Sequence, residues 1–226
     1  MNASGDYYIF VDSDDTISPN MVEEMVKKAK EHDAKIVSSL ISEEQDKLGK
    51  GNTGKVTVLN THDALKSIFS DGLVVTSSSG KMYASDLWED IRFPTDMIFE
   101  DFATIYKVIR KAPKVVSFED WQYFYRPNPA GITGTPFYHR KMQFFDVAAK
   151  ESEGISDTHP DLVPVIRNRP NQSPLPPKPS FFCSCFFSFL ATGVMPPYRF
   201  PGQAAGPDPA LQTFWKGSRQ SKKVLP

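Results

Sequence analysis

Three carboxylates occupy four consecutive positions in "YYIFVDSDDTISP": Asp12, Asp14 and Asp15 follow five residues able to fill a strand. Like charges at that spacing repel one another unless a cation sits among them or one retains a proton. Hard oxygen ligands of this kind suit Mg²⁺ or Mn²⁺, and a cation held there can in turn grip a phosphate-bearing substrate. Asp also favours turns and caps helices, which explains one such residue more readily than three. A second acidic pair, Glu100 and Asp101, opens the apolar-periodic stretch "EDFATIYKVIRKA". Acids there complement a helix dipole, or supply a base for a reacting hydroxyl.

The elements that must position these groups alternate between the two periodicities. "YYIFV" reads as a strand, with Ser18 as N-cap and Pro19 at the first position of a following helix. Met21, Val22, Met25, Val26 and Ala29 recur at helical spacing through that helix. "AKIVSSLI" and "KVTVLN" read as strands, and "THDALKSIF" as a short helix capped by Thr61. The helix at "EDFATIYKVIRKA" ends before Pro113, "KVVSFE" and "WQYFYR" read as two short strands, and "PFYHRKMQFFDVAAKE" as a last amphipathic helix. Strands separated by helices predict an α/β fold with a mostly parallel sheet and flanking helices. In such sheets ligands collect beyond the carboxyl ends of the strands, where the Asp12 turn falls.

Two enzyme classes use a turn of this type. Asp-x-Asp-x-Thr after an apolar strand resembles the first motif of haloacid-dehalogenase-like phosphatases, which would make Asp12 the nucleophile and Asp14 the general acid/base. "LVVTSSSGK" would then offer Thr76 or Ser77 and Lys81, but no Gly-Asp precedes a further Asp at the usual spacing. The wider pattern favours the other class. "ASGDYYIFVDSDDTISPNMVEEMVKKAKEHDAKIV" resembles the middle of family 2 glycosyltransferases, the bacterial polysaccharide type with a GT-A fold. "GKMYASDLWEDIRFPTDMIFEDFATIYKVIRKAPKVVSFEDWQYFYRPNPAGIT" resembles that family's distal half, and the two blocks occur in the family's order.

The resemblance implies roles residue by residue. Asp12 and Asp14 match the D-x-D positions, with Asp15 beside them, and would contact a nucleotide-sugar donor and hold Mn²⁺ or Mg²⁺ at its diphosphate. Asp101 would be the general base toward a saccharide or lipid-linked acceptor, with Glu100 next in line and inversion at the sugar as the outcome. Arg126 would meet phosphate or order the acceptor side, and Lys81 and Tyr83 match an element packed against the acceptor site. Trp88, Trp121, Tyr123 and Tyr125 can stack on sugars, yet aromatics at strand spacing are usually core. His139 reads as a surface residue, and His32 and His62 as helix-end residues.

The family's members normally begin with an "IIPVYN" strand and an Asp near "NDGS". Neither precedes "ASGDY" here, so the resemblance implies an N-terminally truncated transferase domain over residues 1–155. Such a piece is expected to expose the edge of "YYIFV" and to have little stability or activity, with a non-catalytic binding remnant as the further alternative. A transition over 156–169 then leads into a tail, 170–226, that holds eleven of the nineteen prolines and one acid, Asp208. That tail reads as disordered or of foreign origin. Its Cys183 and Cys185 lack partners for a metal site, and the apolar run at 181–195 is short of the roughly 20 residues a membrane helix needs.

With 26 basic and 27 acidic residues the chain has no global field to attract nucleic acid. The two cysteines do not argue for an oxidising compartment, so a cytosolic location is the default. The family type adds peripheral association of the parent enzyme with the inner face of the membrane.

Overall fold

The computed structural model describes residues 4–51, 54–70, 73–128 and 143–167. His139, the cysteine pair and the whole of the Pro-rich tail lie outside the described residues. In chain order the elements are β1 (Tyr7–Ile9), β2 (Thr16–Ile17), α1 (Met21–His32), β3 (Ile36–Ser42), β4 (Val56–Asn60), α2 (Thr61–Phe69), β5 (Lys81–Ala84), α3 (Glu100–Lys111), β6 (Lys114–Phe124), α4 (Gln143–Ile155) and α5 (Val163–Arg167). Six strands form one sheet in the order β1-β5-β3-β6-β2, with β4 also paired to β6. The chain is thus α/β, as the alternation of periodicities predicts, and its sheet is mixed. The central pair, β3 and β6, is parallel. The short strands β1, β2, β4 and β5 join antiparallel to their neighbours.

Period-two alternation distributes the core over both faces of that sheet. Ile36, Tyr83 and Val115 point to the face covered by α2 and α3, where Leu65, Ile68, Phe69, Ile105 and Ile109 are buried with them. Val37, Met82 and Val116 point to the other face, against Met21, Met25 and Ala29 of α1. Leu162 and Ile166, beyond α4, are buried in the first of these clusters. Among the described residues β1 forms one end of the strand order, and its three residues are half-buried.

Three local expectations are corrected. Ser18 does not cap α1 and Pro19 is not its first residue: that helix starts at Met21 after Asn20, and the buried Ser18 hydroxyl is engaged by Gln122 of β6 and by Asn20. The cap of α2 is Asn60, whose side chain accepts from the Asp63 N–H, whereas the Thr61 hydroxyl donates to Ala112 at 2.8 Å. The two strands expected around Glu119 and Asp120 are one continuous β6. The pairing register with β3 shifts at this point, and Glu119 forms an ion pair with Lys55 at 2.6 Å, so the charged residues sit at a bulge without ending the strand.

His62 does lie at a helix end, in the first turn of α2, and its Nε2 stands 2.7 Å from Asp161. That contact ties α2 to the segment ahead of α5. Among the described residues no helix is long and apolar enough to cross a membrane.

Candidate active site

The Asp12 turn leaves the end of β1 above a packed aromatic base. Phe10 forms a bridge with Ser79, and its ring lies 5.8 Å from Tyr83, 5.0 Å from Trp88 and 5.3 Å from Phe93. Trp88 is therefore core, as is expected of an aromatic at strand spacing, and the strand end below the carboxylates is fixed by ring packing. The turn itself is closed by the Asp15 N–H donating to the Asp12 carbonyl at 3.1 Å.

Two residues from the end of β6 hold this turn from the side. The Asp12 N–H donates to the Tyr123 hydroxyl oxygen at 3.1 Å, and that hydroxyl donates to Asp15 Oδ2 at 2.6 Å. The Arg126 N–H donates to Asp15 Oδ1 at 2.8 Å, and Arg126 Nε to the Asp14 carbonyl at 2.7 Å. Both oxygens of Asp15 are thus occupied by protein donors. Asp12 and Asp14 have exposed carboxylates that accept no hydrogen bond from another described residue.

The second acidic pair meets the first. Partial burial raises the Asp12 carboxyl above its ordinary value, and the charges of Asp15, Asp101 and Asp14 raise it further. Glu100 is raised in the same way, by burial first and then, against a backbone hydrogen bond that lowers it, by Asp101 and Asp12. The first turn of α3 thus lies close enough to the turn after β1 for the charges of Asp12, Glu100 and Asp101 to act on one another, and Arg126 holds the same turn from beyond β6. Among the described residues no three His, Cys, Asp or Glu side chains form a ready-made metal cage.

Tyr123 is the residue whose part here the sequence does not announce. Its ring belongs to the buried cluster under α1, while its hydroxyl links Asp12 and Asp15. A Tyr at a core position with an acidic turn nearby is the signal that could have suggested it, since a buried phenol needs a partner. Replacing Tyr123 with Phe is expected to cost about 1–2 kcal/mol, because the Asp12 N–H and Asp15 lose a partner that water only partly replaces. Chemical denaturation measures this, and an unchanged midpoint would show that the hydroxyl holds nothing. Trp121 sits elsewhere, half-buried beside Gly51 with the Lys47 ammonium 5.3 Å from its ring centre, and Tyr125 packs at the margin of the α1 cluster.

This arrangement has relatives. The model of glycosyl transferase family 2 matches residues 1–89, which include the Asp12 turn. Glycosyltransferase GlyG of Streptococcus pneumoniae serotype 4 (strain ATCC BAA-334 / TIGR4) is 26% identical over 145 residues, covering 60% of this chain and 48% of that protein. The likeness to glycosyltransferase family 2 is thus carried by residues 1–89.

Its fold matches that of S. aureus TarS 1-349 in complex with UDP-GlcNAc, with a TM-score of 0.59 at 20% identity, over 74% of this chain and 49% of that one. TarS 1-349 in complex with UDP gives 0.56 at 19% identity, over 84% and 51%. The chain described here thus spans about half the length of these relatives. The family match includes the Asp12 turn and favours the glycosyltransferase reading over the phosphatase one. It ends before Glu100 and Asp101, which join the matched region through the fold.

Proposed function

We propose that this chain carries the donor-diphosphate and acid–base groups of a metal-dependent, inverting sugar transfer. The donor is a nucleotide-diphosphate sugar and the acceptor a hydroxyl of a saccharide or lipid-linked saccharide. The observation that carries the reading is the built Asp12 turn, in which Tyr123 and Arg126 occupy both oxygens of Asp15 and leave Asp12 and Asp14 open, with the charge of Asp101 near enough to raise Asp12. One carboxylate group would serve the departing diphosphate and the other the attacking hydroxyl.

The residues present fit a divalent cation of modest protein coordination. Asp15 is committed to Tyr123 and Arg126, whereas Asp12 and Asp14 offer carboxylates that other described residues leave open. Mg²⁺ is commonly held by one or two carboxylates together with substrate phosphates, without a cage of protein ligands. Mn²⁺ or Mg²⁺ bound by Asp14 and Asp12 would supply Lewis-acid neutralisation of the diphosphate as negative charge builds on it.

The chain's own part is positioning and proton transfer. Arg126 and Tyr123 hold the turn so that Asp12 and Asp14 face outward. Asp101, with Glu100 next to it, accepts the proton of the acceptor hydroxyl as its oxygen bonds to the anomeric carbon. The bond from that carbon to the diphosphate oxygen breaks, and the diphosphate leaves with the electron pair. Attack opposite the leaving group inverts the anomeric centre.

The likeness to TarS, whose structure holds UDP-GlcNAc, makes UDP the natural probe. Calorimetric titration of the chain with UDP is expected to give binding with Mn²⁺ and none in EDTA. Equal affinity in both, or none in either, would overturn the reading.

A further inference from the structure

The segment that follows α4 packs on α2, and its Leu162 and Ile166 are buried in the same cluster as Leu65, Ile68 and Phe69 of that helix. One side chain joins the two at the surface. His62, in the first turn of α2, is flanked by carboxylates from both: its Nε2 lies 2.7 Å from Asp161 Oδ2 and its Nδ1 lies 3.2 Å from Asp63 Oδ1. Asp63 is itself pinned to the helix cap. Its N–H donates to Asn60 Oδ1 at 2.9 Å, and Asn60 Nδ2 donates to its Oδ2 at 3.1 Å. The ring of His159 stacks on that of His62, with centroids 5.8 Å apart.

A neutral imidazole has one N–H and one bare lone pair, so it donates to one of these carboxylates and turns a lone pair toward the other. Only the imidazolium donates to both. For α2 alone this is the wrong charge in the first turn, where the helix dipole favours anions. The two carboxylates are what hold a cation there. Hydrogen bonds to Asp161 and then Asp63 raise His62 above its ordinary value, partial burial lowers it, and the two charges raise it further. Among the described residues the titratable groups facing the ring are Asp63 on its own helix, with Asp161 and His159 on the segment packed against it.

We propose that His62 is a proton-operated latch: charged, it bridges Asp63 of α2 to Asp161 and clamps the segment 159–167 onto the core, and neutral, it lets one of the two go. This device is independent of any sugar transfer. Because the folded chain holds the His62 proton more tightly, the clamp is fully present below 6.5 and is lost as pH rises through the raised folded value. Burial of Leu162 and Ile166 supplies the seat, and the latch sets how often the segment opens locally.

The His62 ring resonances and the Leu162 amide report on the two halves of the device in the full chain. By NMR, the His62 titration midpoint is expected to lie higher in the parent than in Asp161→Asn, with Asp46→Asn as an unchanged control. The Leu162 N–H donates to the His159 carbonyl at 3.1 Å, so its hydrogen-exchange protection reads opening of the segment. Protection in the parent is expected to exceed that in Asp161→Asn at least about twofold at about pH 5.5, the scale of an exposed ion pair, and the ratio to shrink by about pH 8.5. His62→Gln is expected to flatten this response, whereas His159→Phe, which keeps a ring on His62, should preserve it. Equal His62 midpoints in parent and Asp161→Asn would overturn the proposal, as would a protection ratio that is the same at both pH values. A response that persists in His62→Gln and disappears in His159→Phe would overturn it too, by assigning the proton to the other ring.

Discussion

Asp12→Asn is expected to make the protein more stable at neutral pH and at the same time much weaker in taking up Mn²⁺ with a nucleoside diphosphate. The Asp12 carboxyl is raised in the folded chain by burial and by three neighbouring acids. As pH climbs above 3.8, the unfolded chain releases this proton first, so the folded chain binds more protons across that window and loses stability through it. The penalty persists at every higher pH. An amide at position 12 removes it, by roughly 0.5 kcal/mol for an exposed, solvent-screened group.

Thermal melts of parent and variant should therefore separate above the acid range and converge below pH 3.8, where both side chains are uncharged. The ligand arm moves the other way. Loss of the ligand proposed at Asp12 is expected to weaken Mn²⁺-dependent nucleoside diphosphate binding at least about 10–100-fold, the range that even outer-shell partners cost. A variant less stable than the parent at pH 7, or one that binds as well, would show that Asp12 is not a strained ligand awaiting a cation.

The second large effect is structural and falls at Gly80. This residue has φ +69 and sits between the loop at 77–79 and Lys81. A Cβ there would stand 2.7 Å from Ile41 Cγ1 and 2.9 Å from its Cδ1, on the strand beside it. Its carbonyl accepts from both the N–H and the hydroxyl of Ser39, each at 3.0 Å, so the backbone cannot swing clear. Gly80→Ala is expected to cost about 1–2 kcal/mol for the left-handed backbone and about 1–3 kcal/mol for overpacking.

Gly54→Ala serves as the comparison, since Gly54 has φ +65 and nothing within 4 Å of an added Cβ. It should show the backbone cost alone. For a domain of this size the difference between the two variants corresponds to a midpoint lowering of several degrees, roughly 2–4 °C per kcal/mol. Equal melting temperatures would mean that Ile41 yields and the loop is looser than it looks.

What could be read ahead of the fold follows from how local each determinant is. The stripe of Met21, Met25 and Ala29 places α1, and the alternation of Ile36 with Val37 places a two-sided strand, because these patterns depend only on neighbours in the chain. Capping was misread where a distant group competes: the Ser18 hydroxyl is taken by Gln122, 104 residues away. The continuity of β6 was hidden for a similar reason, since Glu119 and Asp120 resemble a turn until Lys55 supplies the opposing charge.

The site divides along the same line. Asp12, Asp14 and Asp15 announce themselves by spacing, whereas their proximity to Asp101 and their support by Tyr123 arise only when β6 and α3 pack. Lys81 matches a sequence element, yet that it is wholly buried depends on strands from both sides of β5.

The burial of Leu162 and Ile166, in the segment packed on α2 and α4, has a practical meaning for anyone wishing to trim the Pro-rich end of this polypeptide. Cutting after Ile155 would strip two plugs from the interior and leave an oily hollow that invites clumping. The safe place for a stop codon is beyond Arg167, which keeps both plugs seated.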